Sequence, residues 1–392
     1  MVKLSIIIVS YNVKYYLGQL LLSIERSDSV AEREVWVVDN ASTDGTKDFL
    51  NRGWANCEWL HTIWNKENVG FGRANNQALR RAKGEYILFL NPDTLLGEST
   101  LSESLNFLQN QPDAGAVGVR MLHPNGSFAR ESKRGVPTPW AAACKLIGLS
   151  SLFPRSRRVG RYYAEHVAET EVGEIDIVSG AYMMVRRAVL DQTGGFDEDF
   201  FMYGEDIDLS YRIKQAGYHN YYVPTPMLHY KGESATQNTF RHAHVFYNAM
   251  LIFFLKHYRN SFPLLVLPIR LFTVLAAAGQ GLGDWLRAIV PAKRKRERFL
   301  FIGRKAEFNR VADICESYGV DIELREGTFE TLPQGHNTPG VAGEEYDYVV
   351  YDLEQFPIAS ILALFVNSKH PSIGTYSSSL HTLIIHRVAM HK

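Results

Sequence analysis

Residues 4–27 read LSIIIVSYNVKYYLGQLLLSIERS, an apolar run that ends in Ser10-Tyr11-Asn12 and passes into an amphipathic stretch over 13–27. An apolar run of strand length followed by three-to-four spacing of apolar positions predicts a β-strand feeding an α-helix. The pattern repeats at once, with EVWVVD at 34–39 as a second strand and TKDFLNR at 46–52 as a second helix. Repeated βαβ units give a mostly parallel sheet with helices on both faces, and ligands then bind beyond the carboxyl ends of the strands. Ser10-Tyr11-Asn12 closes the first strand, DNASTDG at 39–45 the second, and Asn91-Pro92-Asp93 a later one, YILFL at 86–90. Three polar clusters are therefore expected along one rim. Each alone also reads as turn chemistry, since Ser42 or Asp44 suits the cap of the helix starting near Thr46.

Composition bounds the function. A chain of 392 residues can bury a large core and suggests two or three domains. Its 42 basic and 42 acidic side chains balance, so no overall field points to nucleic acid or an acidic polymer. Cys57, Cys144 and Cys315 lie far apart and only Cys57 has a nearby histidine, His61, which argues against a disulfide framework or a zinc site. A reducing cytoplasm is the expected compartment, and no secretory-type leader precedes the first strand.

Chemistry concentrates in GGFDEDFFMYGEDIDLSYR at 194–212, where Glu205, Asp206 and Asp208 open a predicted helix just after an aromatic loop. His229 follows another strand-like run, Tyr221-Tyr222-Val223. A strand-end acid (Asp93), a helix-start acid and a histidine are what a divalent metal and a proton-accepting base require. Between the strands, NKENVGFGRANNQAL at 65–79 offers glycines for close approach, free amides in a first helical turn, and Arg73 for an anionic oxygen. It lacks the Gly-x-Gly-x-x-Gly and Gly-Lys-Ser/Thr spacings, so a plain loop-to-helix junction stays open.

Six segments in order, SIIIVSYN, VVDNASTDGT, ENVGFGRANNQAL, YILFLNPDT, VSGAYMMVRR and GGFDEDFFMYGEDIDLSYR, resemble glycosyltransferase family 2, in particular its bacterial rhamnosyltransferase-like members. The resemblance implies a GT-A nucleotide-diphospho-sugar transferase fold and inverting transfer from a nucleotide sugar. It implies that Asp39 contacts the base or ribose of the donor, with Asn12 and Asn40 nearby and Arg73, Asn91 and Gly180 as further donor-side positions. Asp93 would ligate Mg2+ or Mn2+ from the last place of the family's Asp-x-Asp motif, whose first place here is Asn91. Asp206 matches the catalytic base, with Glu205 and Asp208 in support. His229 matches a histidine that completes the metal shell in some members, and a structural histidine is the competing reading. The Gln-x-x-Arg-Trp motif and membrane spans of processive synthases are absent, so one sugar per encounter is expected. The acceptor would be a glycan or lipid-linked hydroxyl, and dTDP-rhamnose is the family-level donor, with UDP-hexoses as competitors.

Two other classes are weighed. One is a nucleotide-sugar-binding or regulatory protein without turnover, against which Asp93, Asp206 and His229 speak. The other is a nucleotidylyltransferase, which would carry a Gly-rich, basic loop where this chain has Ser10-Tyr11-Asn12-Val13.

Residues 1–260 are expected to form the catalytic domain, 261–297 an apolar and basic linker, and 298–392 a small α/β module. The apolar run PLLVLPIRLFTVLAAAGQGLGDWL is interrupted and too short to span a bilayer. With the basic run at 293–298 it reads either as a membrane-interface helix on the inner face of the cell membrane or as a helix packed on the catalytic domain. Arg241, His242 and His244 either line the acceptor site or sit on a solvated helix face. In the last unit, 299–302 and 346–351 read as strands, 306–318 and 358–366 as helices, and 327–345 as a loop. Gly303 is its one early glycine, so a dinucleotide site is not expected. A scaffold or partner role is, packed on the catalytic domain or on a second copy in a homo-oligomer.

Overall fold

The computed structural model describes residues 3–27, 32–137, 163–230, 239–258, 297–341, 343–366, 371–385 and 388–391, without the side chains of 239–244, 246, 247 and 344. The apolar and basic stretch at 261–296 lies outside the described residues, as do the side chains of Arg241, His242 and His244. Among the described residues no helix is long and apolar enough to cross a membrane.

Nine strands form the first sheet: β1 (Leu4–Ser10), β2 (Arg33–Asp39), β3 (Leu60–Trp64), β4 (Tyr86–Leu90), β5 (Thr94–Leu96), β6 (Ala114–Leu122), β7 (Gly173–Ile175), β8 (Tyr182–Arg186) and β9 (His219–His229). Their order is β3-β2-β1-β4-β8-β6-β9-β5, with β7 also on β9. From β3 to β4 the pairing is parallel; beyond β4 it is mixed, because β8 runs antiparallel to both β4 and β6. The helices are α1 (Lys14–Glu25), α2 (Thr46–Gly53), α3 (Phe71–Leu79), α4 (Thr100–Asn110), α5 (Arg187–Thr193), α6 (Glu205–Gln215) and α7 (Thr239–His257).

Burial on both faces explains the unbroken apolar run of β1. Leu4, Ile6 and Ile8 enter one core with Leu17 and Leu20 of α1, while Ile7 and Val9 enter the opposite core with Ala74 and Ala78 of α3. Alternation along a strand sends neighbours to opposite faces, so a helix-covered strand is apolar throughout. The register sets Ser10 beside Asp39 and Ile8 beside Leu90, which brings the ends of β1, β2 and β4 to one rim.

A second, six-stranded sheet follows: β10 (Phe299–Gly303), β11 (Ile322–Glu326), β12 (Tyr348–Asp352), β13 (Ser372–Ser377), β14 (Thr382–Ile385) and β15 (Val388–His391), with helices α8 (Phe308–Ser317) and α9 (Ile358–Phe365). Its order is β11-β10-β12-β13-β14-β15, parallel as far as β13 and antiparallel after it. This unit packs directly on the first sheet: Leu95, Leu228 and Tyr230 share one core with Ile302, Tyr351 and Phe365. Glu98 accepts the first amides of α9, from Ile358 at 2.6 Å and Ala359 at 2.9 Å. A carboxylate there satisfies orphan donors and meets the positive end of the helix dipole. Gly126 takes φ +73°, and a Cβ there would stand 2.4 Å from the Phe365 carbonyl oxygen, so only glycine fits under α9.

Candidate active site

The rim of β1, β2 and β4 carries the expected polar clusters in a tightly bonded form. Asn12 accepts from the Thr43 amide at 2.7 Å, and its own amide donates to Ser42 Oγ at 2.9 Å. Asp44, one residue before the Gly45 N-cap of α2, accepts from Thr46 N at 3.1 Å and Lys14 N at 3.0 Å. Asn40 is held from both sides, donating to Asn68 at 3.1 Å and accepting from Asn65 at 2.9 Å. Asp39 accepts from Ser42 N through Oδ1 at 2.9 Å, while its buried Oδ2 has no hydrogen-bond partner among the described residues. An orphaned acceptor in a buried carboxylate is costly unless a ligand satisfies it. Next to it Tyr11 leaves 45% of its surface exposed.

Backbone strain collects here as well. Of five non-glycine residues with positive φ among the described residues, Asn12 (57°), Ala41 (68°) and Tyr203 (68°) border the rim or the aromatic loop. Each left-handed residue of this kind costs on the order of 1 kcal/mol, which points to function where several cluster.

Asp93 and His229 meet at the end of β4. Thr94 pairs with His229 across β5 and β9, the Tyr230 amide donates to the Asp93 carbonyl at 3.0 Å, and Asp93 Oδ1 lies 3.3 Å from His229 Nε2. Both side chains are buried, and His229 Nδ1 has no partner among the described residues. No third His, Cys, Asp or Glu joins them in a three-ligand cluster among the described residues. Asn91 donates its amide to the Ala181 carbonyl at 3.1 Å, which ties this turn to the start of β8.

Asp206 sits on the other side of that tie. Its Oδ2 accepts from Gly180 N at 2.9 Å and from the Arg134 guanidinium, and its Oδ1 accepts from Ile207 N at 2.8 Å. Gly180 is small for a reason: a Cβ would come within 3.3 Å of Asp206 Cβ. Two hydrogen bonds, Asn91 to Ala181 and Gly180 to Asp206, thus link the turn that carries Asp93, through Gly180 and Ala181, to the Asp206 carboxylate.

Asp208, Arg73 and Gly70 are engaged with the protein itself. Asp208 is buried and accepts from Arg212 Nε at 2.7 Å, with His257 Nε2 also at 2.7 Å. Burial alone would raise its carboxyl, but the His257 contact and the Arg212 charge outweigh that and hold it below the usual carboxylate range. Arg212 in turn donates to the carbonyls of Thr193 and Gly195, fixing the entry to the aromatic loop. Arg73 is turned to the surface and pairs with Glu198 at 3.2 Å. Gly70 approaches protein rather than open space, since a Cβ there would stand 2.7 Å from the Phe201 carbonyl oxygen. The same oxygen accepts the Phe71 amide at 2.8 Å, so that amide of the expected phosphate cradle is already used.

Glu205 is buried beside Asp206, and its Oε2 has no partner among the described residues. Desolvation first, and the Asp206 charge second, push its carboxyl up to about 8 from 4.5. A raised acid contributes stability in its neutral form that is complete below 4.5 and is lost as pH rises through about 8. Thermal melts from pH 5 to pH 9 are expected to show a fall in Tm that Glu205→Gln reduces; an unchanged fall would contradict a neutral Glu205.

Sequence reasoning missed Arg134 and His257, and placed Tyr11 on the rim without singling out its ring. Arg134 and His257 reach Asp206 and Asp208 across 72 and 49 residues of chain, and no local pattern marks such contacts. Tyr11 had a signal, an aromatic residue set between two polar ones at a strand end.

Comparison with known proteins identifies the family. A family model described as Glycosyl transferase family 2 matches residues 5–194, and one described as Glycosyl transferase family 21 matches 140–284. The chain is 31% identical over 250 residues to N-acetylglucosaminyl-diphospho-decaprenol L-rhamnosyltransferase of Mycobacterium tuberculosis, a match covering 61% of this chain and 78% of that relative. Rhamnosyltransferase WbbL of Escherichia coli is 28% identical over 233 residues, 57% of this chain and 82% of the relative. Among solved structures, mannosyltransferase PcManGT of Pyrobaculum calidifontis, in complex with GDP-Man and Mn2+, covers 74% of this chain and 81% of its own at 22% identity and a TM-score of 0.45. The matched range takes in the rim, the Asp93 turn and Gly180, and a relative above 30% identity is spanned over most of its length. On those two findings the chain belongs to glycosyl transferase family 2, an inverting family, and is a glycosyltransferase.

Proposed function

We propose that this glycosyltransferase moves one sugar from a nucleoside diphosphate donor to a hydroxyl of a glycan or lipid-linked acceptor in cell-surface polysaccharide assembly, with dTDP-rhamnose as the donor. The observation that supports the reading is the pair of hydrogen bonds linking the Asp93 turn, through Gly180 and Ala181, to Asp206, because a donor-side acid and a base must work on one sugar. The donor choice draws on the relatives, two of which are named as rhamnosyltransferases, one acting on a diphospho-decaprenol-linked sugar.

On this reading the free Oδ2 of Asp39 takes a donor hydrogen from the base or ribose, and the exposed Tyr11 ring offers a stacking face. Asn12 and Asn40 hold that edge in place rather than reaching out, since their side chains are bonded to the loops. Asp93 and His229 fit a divalent ion: two ligands at right angles and about 2.1 Å from a metal lie ~3.0 Å apart, near the observed 3.3 Å. Mg2+ or Mn2+ bound there would supply Lewis-acid stabilisation of the departing diphosphate, whose own oxygens would fill further positions.

Asp206 serves as base. A carboxylate oxygen has two acceptor directions, and Oδ1 spends one on the Ile207 amide. The acceptor hydroxyl gives its proton to the remaining direction while its oxygen bonds the anomeric carbon, and the bond from that carbon to the diphosphate breaks on the far face. Arg134 and the Gly180 amide hold the other oxygen, so the carboxylate stays aimed as its charge changes. A lipid-linked acceptor would bring the enzyme to the inner face of the membrane, where the basic run at 293–298 meets anionic lipid headgroups.

A panel of nucleotide sugars with Mn2+ tests the reading. dTDP-rhamnose is expected to give a glycosylated product and free dTDP without pyrophosphate. Turnover with a UDP-hexose instead would replace the donor, and pyrophosphate release would overturn the reaction class.

A further inference from the structure

The six-stranded sheet has no part in the transfer described above, yet it reaches the site at one point. Tyr230 follows His229 directly, and its hydroxyl lies in a closed triangle with Gln19 of α1 and Thr375 of β13. Tyr230 Oη and Thr375 Oγ1 are 2.7 Å apart, Thr375 donates to Gln19 Oε1 at 2.8 Å, and Tyr230 reaches the same oxygen at 3.1 Å. All three side chains are buried, at 0% exposure for Gln19 and Thr375 and 1% for Tyr230. Around them the shared core is apolar, with Tyr16 edge-on to Tyr230 at 5.3 Å.

We infer that the C-terminal sheet positions the metal side of the active site, with Thr375 as a positioning residue that acts through Tyr230 on His229 and Asp93. The inference rests on the proposed role of Asp93 and His229 as metal ligands. Its geometry is short: the Tyr230 amide is bonded to the Asp93 carbonyl at 3.0 Å, and His229 is paired with Thr94 in the adjoining ladder. Successive residues of an extended chain face opposite sides, so anchoring the Tyr230 ring in the second sheet fixes the backbone from which the imidazole projects toward Asp93. Apolar packing alone would tolerate small slips of that backbone. Two buried hydroxyls held on each other and on the Gln19 carbonyl oxygen are less tolerant, because a slip leaves a hydroxyl unpaired in an apolar core. The edge strand β5, which carries Thr94, is also covered by this unit rather than left open.

The test is a titration of the full chain with Mn2+ alone, read by electron paramagnetic resonance, beside a thermal melt of each variant. Thr375→Val keeps the shape and removes the hydroxyl. It is expected to raise the half-saturating Mn2+ about tenfold, the scale seen when a residue that orients a ligand is lost, and Thr375→Ser is expected to restore it. Arg26→Met breaks a different contact between the sheets, the bond from Arg26 to the Leu353 carbonyl at 2.8 Å, and is expected to lower Tm while leaving Mn2+ binding at the wild-type value. Wild-type Mn2+ binding in Thr375→Val overturns the inference, and so does an equal shift in Arg26→Met, which would mark general loosening. Should Thr375→Val not fold, Tyr230→Phe is read by the same criteria. A wild-type chain that binds no Mn2+ overturns the metal-ligand reading itself and the inference with it, which separates the two failures.

Discussion

Asp206→Asn lowers kcat by about 10²–10⁴-fold, the range a positioned general base supplies, while binding of the nucleoside diphosphate stays within about twofold. The separation follows from where the residue sits. Among the described residues its hydrogen bonds are to Gly180, Ile207 and Arg134, on the β8 side of the tie to Asn91, and none is to Asp39 or the donor rim. The two backbone amides bond different carboxylate oxygens, so asparagine keeps an acceptor for one of them, turns an NH2 donor toward the other, and loses the basic carboxylate. It also removes the carboxylate that pairs with the Arg134 guanidinium, whose side chain is 13% exposed. Some loss of stability is therefore expected, on the order of 1–3 kcal/mol for a charge-assisted bond at a largely buried site. A melt and a calorimetric titration with dTDP distinguish that loss from the catalytic one. Near-normal turnover in a folded Asp206→Asn would remove the base assignment.

Asp93→Ala is expected to act on the other half of the reaction. Removing the carboxylate leaves His229 as the one remaining ligand of the pair, so metal-dependent binding of the donor should fall at least about 100-fold and kcat/KM with it. Metal-independent binding through the Asp39 rim should persist, because that rim is held by Ser42, Thr43 and the asparagines and owes nothing to Asp93. Calorimetry with dTDP, with and without Mn2+, measures both parts. Equal donor affinity in the two proteins with Mn2+ present would contradict the ligand role of Asp93.

Much of this arrangement was legible in the chain. β1 and β4 announce themselves because both faces are covered, and burial on both faces leaves no polar position to blur the run. The start of α6 was readable at Glu205 because Gly204, at φ +81°, ends the aromatic loop in a conformation glycine favours. β9 was visible only over Tyr221-Tyr222-Val223, since Pro224 and Pro226 interrupt the pattern of a strand that in fact runs to His229. Its pairing with β6 accommodates them through a register shift between Val119 and Arg120. β13, β14 and β15 were not seen at all: SIGTYS and TLII are short, and antiparallel strands at a sheet end owe their conformation to their neighbours.

The site shows the same division. Residues at strand ends and helix starts, such as Asp39, Asp93 and Asp206, can be located from local pattern because turn geometry dictates where they lie. What holds them cannot. Arg134 on Asp206, His257 on Asp208 and Thr375 on Tyr230 are contacts over 72, 49 and 145 residues, created by packing alone. Glycine roles were readable in kind but not in direction: Gly70 makes room for the Phe201 carbonyl, where a ligand was expected.

A crystal structure of the protein with Mn2+ and dTDP is the most direct measurement. The account predicts the ion on Asp93 and His229, the base or ribose against Asp39 Oδ2, and the terminal phosphate directed at Asp206 with room for one sugar ring between them. A diphosphate bound elsewhere, or pointing away from Asp206, would contradict it.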